Sequence, residues 1–304
     1  MTPKDYFNFI RWKNVVMIGV LLFLIKYVLF ERFELNVALD HFHYALLVLS
    51  TICIAIAGYI INDINDVEAD RINKPKRLYV GSKISRTNAY NLFIGFNSFG
   101  LLAGMYLSYH VRHTSYFIIY VLTSLLLYQY AKYLKKKLLI GNLLVAFLVF
   151  LSIVLPLVFD LLPVTNPLNE SRQVVVFKLI GVLALFGFFL TIIREFVKDI
   201  EDVKGDEKIG ARSLPIAIGV QKTKGIVLLT TLILCSALAF FAVMLVSFDR
   251  IATVYLSIFV LAPLLYFMFY LWKAKSQNEL HRSSGILKIV MLLGILTLLL
   301  IKSA

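Results

Sequence analysis

Asn62, Asp66 and Asp70 lie at i, i+4 and i+8, so on a helix that continues through them they share one face. Asp199, Asp202 and Asp206, at i, i+3 and i+7, form a second row of the same kind. Carboxylates stacked in this way repel one another, and more strongly where solvent screening is weak. A hard divalent cation offsets that repulsion: Mg2+ takes carboxylate oxygens together with the phosphate oxygens of a substrate. Two facing rows could therefore hold metal ions that bridge to one diphosphate. The bland alternative is that these acids are solvated and paired with the interleaved lysines and arginines. It accounts for either row alone better than for two rows at matching places. Ten of the 18 acidic residues fall in the stretches 63–70 and 195–207, each at the end of an apolar run.

A metal-bound diphosphate is a good leaving group, because the charge that develops on its oxygens is neutralised. If the attached chain is allylic, its loss leaves a resonance-stabilised cation, which an apolar cavity would shield from water. Lysines and arginines beside the acids would compensate charge that the metals leave over. No Ser–His–Asp, Cys–His or His-rich arrangement competes for a catalytic role. Four of the five histidines, His41, His43, His110 and His113, fall on the other side of the membrane in the topology below and read as interfacial residues; His281 stands alone. Cys53 and Cys235 both sit in apolar runs and have neither disulfide nor zinc spacing.

The elements that must position these rows are membrane helices. The 304 residues are 60% hydrophobic and 16% charged, against roughly a quarter charged in a soluble domain. A bilayer core about 30 Å thick needs roughly 20 apolar residues of helix. Runs of that kind predict nine spans, at 15–30, 42–61, 89–109, 115–131, 138–159, 174–193, 225–248, 251–272 and 285–301. Lys26, inside the first, is expected to snorkel toward an interface. Pro156 and Pro263 are expected to kink their helices. Placing the N-terminus in the cytoplasm puts 24 of the 31 lysines and arginines on the cytoplasmic side, as the positive-inside rule requires. Both acidic rows then face the cytoplasm. The net charge of +13 is explained by anchoring beside anionic lipid, and no soluble basic face suited to nucleic acid is present.

At these residues the chain resembles the UbiA superfamily of intramembrane prenyltransferases. Asn62-Asp63-Ile64-Asn65-Asp66-Val67-Glu68-Ala69-Asp70 matches the family's N-D-x-x-D-x-x-x-D, and Arg71-Ile72-Asn73-Lys74-Pro75-Lys76-Arg77 resembles its continuation. Asp199, Asp202 and Asp206 match the second motif, D-x-x-D-x-x-x-D, followed by Ser213-Leu214-Pro215 and Gly219. Tyr130, Lys135 and Gly141-Asn142 resemble the family's segment after the fourth span. Arg77-Leu78-Tyr79-Val80-Gly81-Ser82 departs from the R-P-L-P-S-G of many members.

The resemblance implies an all-α polytopic fold: nine transmembrane helices in a ring around a central cavity. It would form a single domain over 1–304, with cytoplasmic caps at 62–88 and 194–224. It implies Mg2+-dependent prenyl transfer, with Asn62, Asp66 and Asp70 on one metal and Asp199, Asp202 and Asp206 on the other. Asp66, Asp70, Asp202 and Asp206 would be the catalytic carboxylates. Arg71, Arg77, Lys135 and Lys198 would contact the diphosphate; Arg11 and Tyr130 are further candidates for substrate contact. The run 194–206 is most similar to the geranylgeranylglycerol-phosphate geranylgeranyltransferases, which predicts a prenyl diphosphate donor and a glycerol phosphate lipid acceptor. An aromatic acceptor is the main alternative. A transporter is a distant one, since its ionisable residues would lie within the spans.

Overall fold

The computed structural model describes residues 1–75, 78–165, 170–246 and 249–302. Arg77 and the last two residues of the predicted span 225–248 lie outside the described residues. Thirteen helices follow in chain order: α1 (Pro3–Phe9), α2 (Trp12–Leu24), α3 (His41–Asn65), α4 (Val67–Asn73), α5 (Arg86–His110), α6 (Phe117–Lys132) and α7 (Ile140–Pro156). The second half holds α8 (Glu170–Lys208), α9 (Leu214–Ile218), α10 (Val220–Leu245), α11 (Arg250–Tyr255), α12 (Ala262–Lys273) and α13 (Gln277–Leu296). No strand occurs among the described residues.

Local chemistry sets where several helices begin. Thr2 with Asp5, and Ser276 with Glu279, form capping boxes that satisfy the first amides of α1 and α13. Asp40, Ser85 and Asp249 accept backbone N–H groups at the starts of α3, α5 and α11.

Among the described residues, eight helical stretches are long and apolar enough to cross a membrane. They correspond to eight of the nine predicted spans. The remaining one, 115–131, is the 16-residue helix α6, whose rise of about 24 Å is short of a 30 Å core. The largest difference from the predicted boundaries is α8, which runs unbroken for 39 residues. The second acidic row therefore rides on a rigid extension of a membrane helix rather than in a loop.

Pro156 ends α7, and one wide π-type turn follows it over Leu157–Leu161; a second, Leu256–Leu261, precedes Pro263. Each of these π turns lies beside a proline, where a missing amide already interrupts the α-helical ladder. A third covers Ile25–Phe30 and holds Lys26. Lys26 does not snorkel. Its ammonium is buried, 2.8 Å from Asp160 Oδ2 and 2.5 Å from the Leu39 carbonyl, and stands over the Tyr44 ring. A buried cation with a carboxylate, a carbonyl and an aromatic face within reach gains more there than by extending to an interface.

Six helices wall a central cavity of about 1490 Å³: α2, α3, α6, α7, α8 and α13. Helices α5, α10 and α12 pack outside this wall. Leu190, Ile193 and Val197 of α8 meet Val227, Phe267 and Leu287 in one apolar cluster, while Tyr44, Leu47, Leu107 and Tyr120 form another beside α5. The outward faces carry large exposed apolar side chains, among them Leu102, Phe240 and Trp272, as a lipid-facing belt requires.

Candidate active site

One end of the cavity is lined by both acidic rows: Asn62, Asp66 and Asp70 from α3 and α4, and Asp199, Asp202 and Asp206 from α8. The chain turns slightly between α3 and α4, yet the Asp66 amide still bonds the Asn62 carbonyl (3.0 Å) and the Asp70 amide bonds that of Asp66 (2.8 Å). This i to i−4 pattern keeps the helical phase through the joint, so the first row stays on one face as its spacing predicts. The second row stays in line because α8 does not break.

The rows are joined by side chains that neither spacing reveals. Lys74, in the linker after α4, crosses to Asp202 Oδ2 at 2.5 Å, and Lys135, after α6, pairs with Asp66. Asn73 donates to the Asp202 carbonyl (2.9 Å) and accepts from the Gly205 amide (2.9 Å). A Cβ at Gly205 would fall 2.4 Å from the Asn73 amide, so the glycine makes room for this clamp. Asn142 donates to Asp199 Oδ2 at 2.9 Å, and a Cβ on neighbouring Gly141 would press on the Lys135 backbone at 3.0 Å. The "G-N" pair thus packs the α6–α7 turn against α8. Arg11 adopts a left-handed backbone (φ 56°), unusual for a residue with a Cβ. That turn sends its guanidinium 2.7 Å from Asp63 and 4.7 Å from the Tyr59 ring centre.

Burial drives the electrostatics outside the spans. It pushes the Asp70 carboxyl up to about 6, and the nearby Asp66 carboxylate adds to the shift. Burial works against the charged form of Lys74 and Lys135 as well, but Asp202 and Asp66 outweigh it, so both ammonium groups are held above the ordinary lysine value.

Asn62 Oδ1 and Asp202 Oδ1, one from each row, are buried acceptor oxygens without a hydrogen-bond partner. Buried oxygens of this kind ordinarily have partners, and hard oxygen donors are what Mg2+ takes. The residues present fit a divalent cation on that ground. Among the described residues, no three Asp, Glu, His or Cys side chains already gather in metal-holding geometry; Lys74 and Lys135 neutralise the rows instead.

Tyr130, Lys135, Lys198 and Arg11 line the cavity. Arg71 does not: it follows Asp70 by one position, about 100° around the helix, and is exposed. Lys74, three positions on, does line the cavity and pairs with Asp202. His281 is not alone; its Nδ1 lies 2.9 Å from Glu201, and it lines the rim.

Residues 33–293 match the UbiA prenyltransferase family. The chain belongs to that family. It is therefore a multi-pass integral membrane prenyltransferase. The chain is 36% identical over 243 residues to digeranylgeranylglyceryl phosphate synthase of Sulfurisphaera tokodaii, covering 79% of this chain and 80% of the relative. It is 32% identical over 250 residues to the enzyme of the same name from Korarchaeum cryptofilum, covering 81% of each. A solved structure of a digeranylgeranylglyceryl phosphate synthase superposes with a TM-score of 0.62 at 26% identity, over 97% of this chain and 98% of that one. A UbiA homolog from Archaeoglobus fulgidus, solved with GPP and Mg2+, superposes with a TM-score of 0.61 over 98% of this chain and 100% of its own. At 17% identity that likeness concerns the fold.

Proposed function

We propose that this prenyltransferase moves a geranylgeranyl group from its diphosphate to the hydroxyl of geranylgeranylglyceryl phosphate, in a Mg2+-dependent reaction. The observation that carries the reading is the convergence of two acidic rows on one cavity, each keeping a buried acceptor oxygen unpartnered. Asn62, Asp66, Asp70, Asp199, Asp202 and Asp206 would hold the metal. Bound there, Mg2+ would neutralise charge on the departing diphosphate. Lys74, Lys135 and Lys198 would take the remaining phosphate charge, with Arg11 and Tyr130 bordering the reacting end. The bond from the donor's first carbon to diphosphate oxygen breaks, the electron pair leaving with the diphosphate. The acceptor oxygen forms an ether bond to that carbon and releases its proton.

The cavity supports an acceptor with a chain of its own. At about 1490 Å³ it exceeds the roughly 300–1,000 Å³ of an ordinary ligand pocket, and its far half is lined by Leu21, Ile54, Leu155 and Ile295. The names of the relatives point to the same acceptor. In the membrane, the distribution of basic residues supports nine spans, counting the shorter α6, in one domain over 1–304. The N-terminus and both acidic rows would face the cytoplasm.

The test offers purified protein in liposomes labelled geranylgeranyl diphosphate with geranylgeranylglyceryl phosphate and 4-hydroxybenzoate side by side. Label should enter the glycerol lipid and require Mg2+. Label entering the aromatic acid alone would replace this acceptor with an aromatic one. Uptake of label without any prenylated product would refute the enzyme.

A further inference from the structure

Beside the acidic rows, the cavity carries a second charged group. Lys288 of α13 is within electrostatic reach of Arg194 and Lys198 of α8 and of Arg11 and Lys13 at the start of α2. All five line the cavity. Acidic partners are scarce. Asp63 is engaged by Arg11 at 2.7 Å, and Glu195 alone serves both Arg194 (3.3 Å) and Lys198 (2.9 Å). Lys288 and Lys13 make no ion pair with any described residue, and Arg194 Nε is buried without a partner. Lys13 is exposed, but Arg194 and Lys288 are half-buried, and gathering cations away from water is costly unless an anion joins them.

The position of the group narrows what that anion is. Arg194 precedes Asp199 by five residues, which sets it about 8 Å farther along α8 toward the membrane interior. On α13, Lys288 is followed along the cavity wall by Ile289, Leu292 and Ile295. An anion here therefore sits where charge meets an apolar channel. The donor's diphosphate has its own cations in Lys74 and Lys135, which cross directly to the acidic rows, and in Lys198, which borders both groups. A phosphate monoester on a lipid would bring up to two negative charges and needs cations rather than carboxylates around it.

We propose that Lys288, Arg194 and Lys13 form a binding site for the phosphate monoester of the acceptor lipid, distinct from the metal and diphosphate site. The proposal rests on the glycerol-lipid reading of the acceptor. The site holds the acceptor by its headgroup and leaves the hydroxyl free to turn toward the donor.

The experiment compares wild-type protein with Lys288→Gln, Lys288→Arg and Lys13→Gln in liposomes. Donor and acceptor are varied separately, and geranylgeranylglycerol is used as an acceptor lacking phosphate. Lys288→Gln should raise KM for geranylgeranylglyceryl phosphate about tenfold or more, the worth of one charge-assisted hydrogen bond. KM for geranylgeranyl diphosphate should not move, and Lys288→Arg should recover much of the loss. With the phosphate-free lipid, wild type and Lys288→Gln should have the same KM. Lys13→Gln, on a different helix, should repeat the selective effect and so guards against misfolding of a single variant. An unchanged acceptor KM in both glutamine variants would overturn the site while leaving the function standing. An equal rise in donor KM would also overturn it, reassigning these cations to the diphosphate. If wild-type protein prenylates the aromatic acid and not the phosphate lipid, the function falls, and this site with it.

Discussion

At the far end of the helical wall, Lys26 and Asp160 are buried and paired at 2.8 Å. Asp160 Oδ1 also accepts from the Leu39 amide at 2.7 Å, and Lys26 donates to the Leu39 carbonyl at 2.5 Å. At the end that carries the motifs, charges are far more numerous and less evenly matched. Asp202 Oδ1, Asn62 Oδ1 and Arg194 Nε are buried without partners, and Lys288 and Lys13 make no ion pair with any described residue. The same physics governs both places, since an uncompensated charge or polar atom away from water costs free energy. For Lys26 and Asp160 the chain supplies every partner itself, which suits a structural closure, although Gln173 and Asp249 Oδ2, also away from the motif end, are buried without partners. At the motif end it leaves acceptors and cations over, as a pocket for a metal and phosphates must.

That contrast can be broken experimentally, and the acidic rows give the largest effect. Asp66→Ala or Asp202→Ala should reduce Mg2+-dependent prenyl transfer by at least about a thousandfold, while the variants still elute as folded protein in detergent. Near-normal turnover in either would remove the row from the chemistry. Asp160→Ala should do the reverse. It strands a buried ammonium, so stability should fall by about 3–5 kcal/mol, read as a lower Tm in micelles, with turnover per folded molecule kept. Replacing both partners with apolar residues, Lys26→Met and Asp160→Leu, should restore much of that loss. A selective drop in kcat in Asp160→Ala would show that the far end is more than a closure.

The clamp between the rows should have a smaller effect. Asn73→Ala removes two hydrogen bonds that hold α4 against α8 and should weaken apparent Mg2+ affinity about tenfold, by analogy with groups that orient metal ligands; a Mg2+ titration of activity reads it out. The smallest change comes from pH. Asp70 titrates in the metal-free protein at about 6, above its unfolded value. Its protonated form is therefore favoured by folding, and the stabilisation it gives at low pH is lost as pH rises through about 6. Mg2+ needs the carboxylate, so apparent Mg2+ affinity should rise over the same window and level off above it. Asp70→Asn should flatten that part of the profile.

Much of this was legible in the chain because helical spacing is local. The two acidic rows and the long apolar helices follow from residues a few positions apart, while the Gly141-Asn142 pair was marked by the family resemblance. What escaped depends on partners distant in sequence. Lys26 and Asp160 are 134 positions apart, so the lysine reads as a snorkelling residue until the fold supplies its acid. Asn73 bonds Asp202 from 129 positions away, and Lys74 the same aspartate from 128. His281 reads as a solitary histidine; only the fold sets it on Glu201. Arg71 stands outside the cavity lining for the opposite reason. It neighbours the motif in sequence, but one step along a helix turns a side chain to another face.

Where a diphosphate binds decides whether the two rows act together. The direct measurement is an experimental structure of the protein with Mg2+ and geranylgeranyl thiodiphosphate, a donor whose reacting bond is slow to break. The two phosphates should lie between Asp66 and Asp202. Metal should be bound by oxygens of both rows, Asn62 Oδ1 and Asp202 Oδ1 included, with Lys74 and Lys135 turned from the carboxylates onto phosphate. Diphosphate bound elsewhere in the cavity, or metal held by one row without the other, would contradict it.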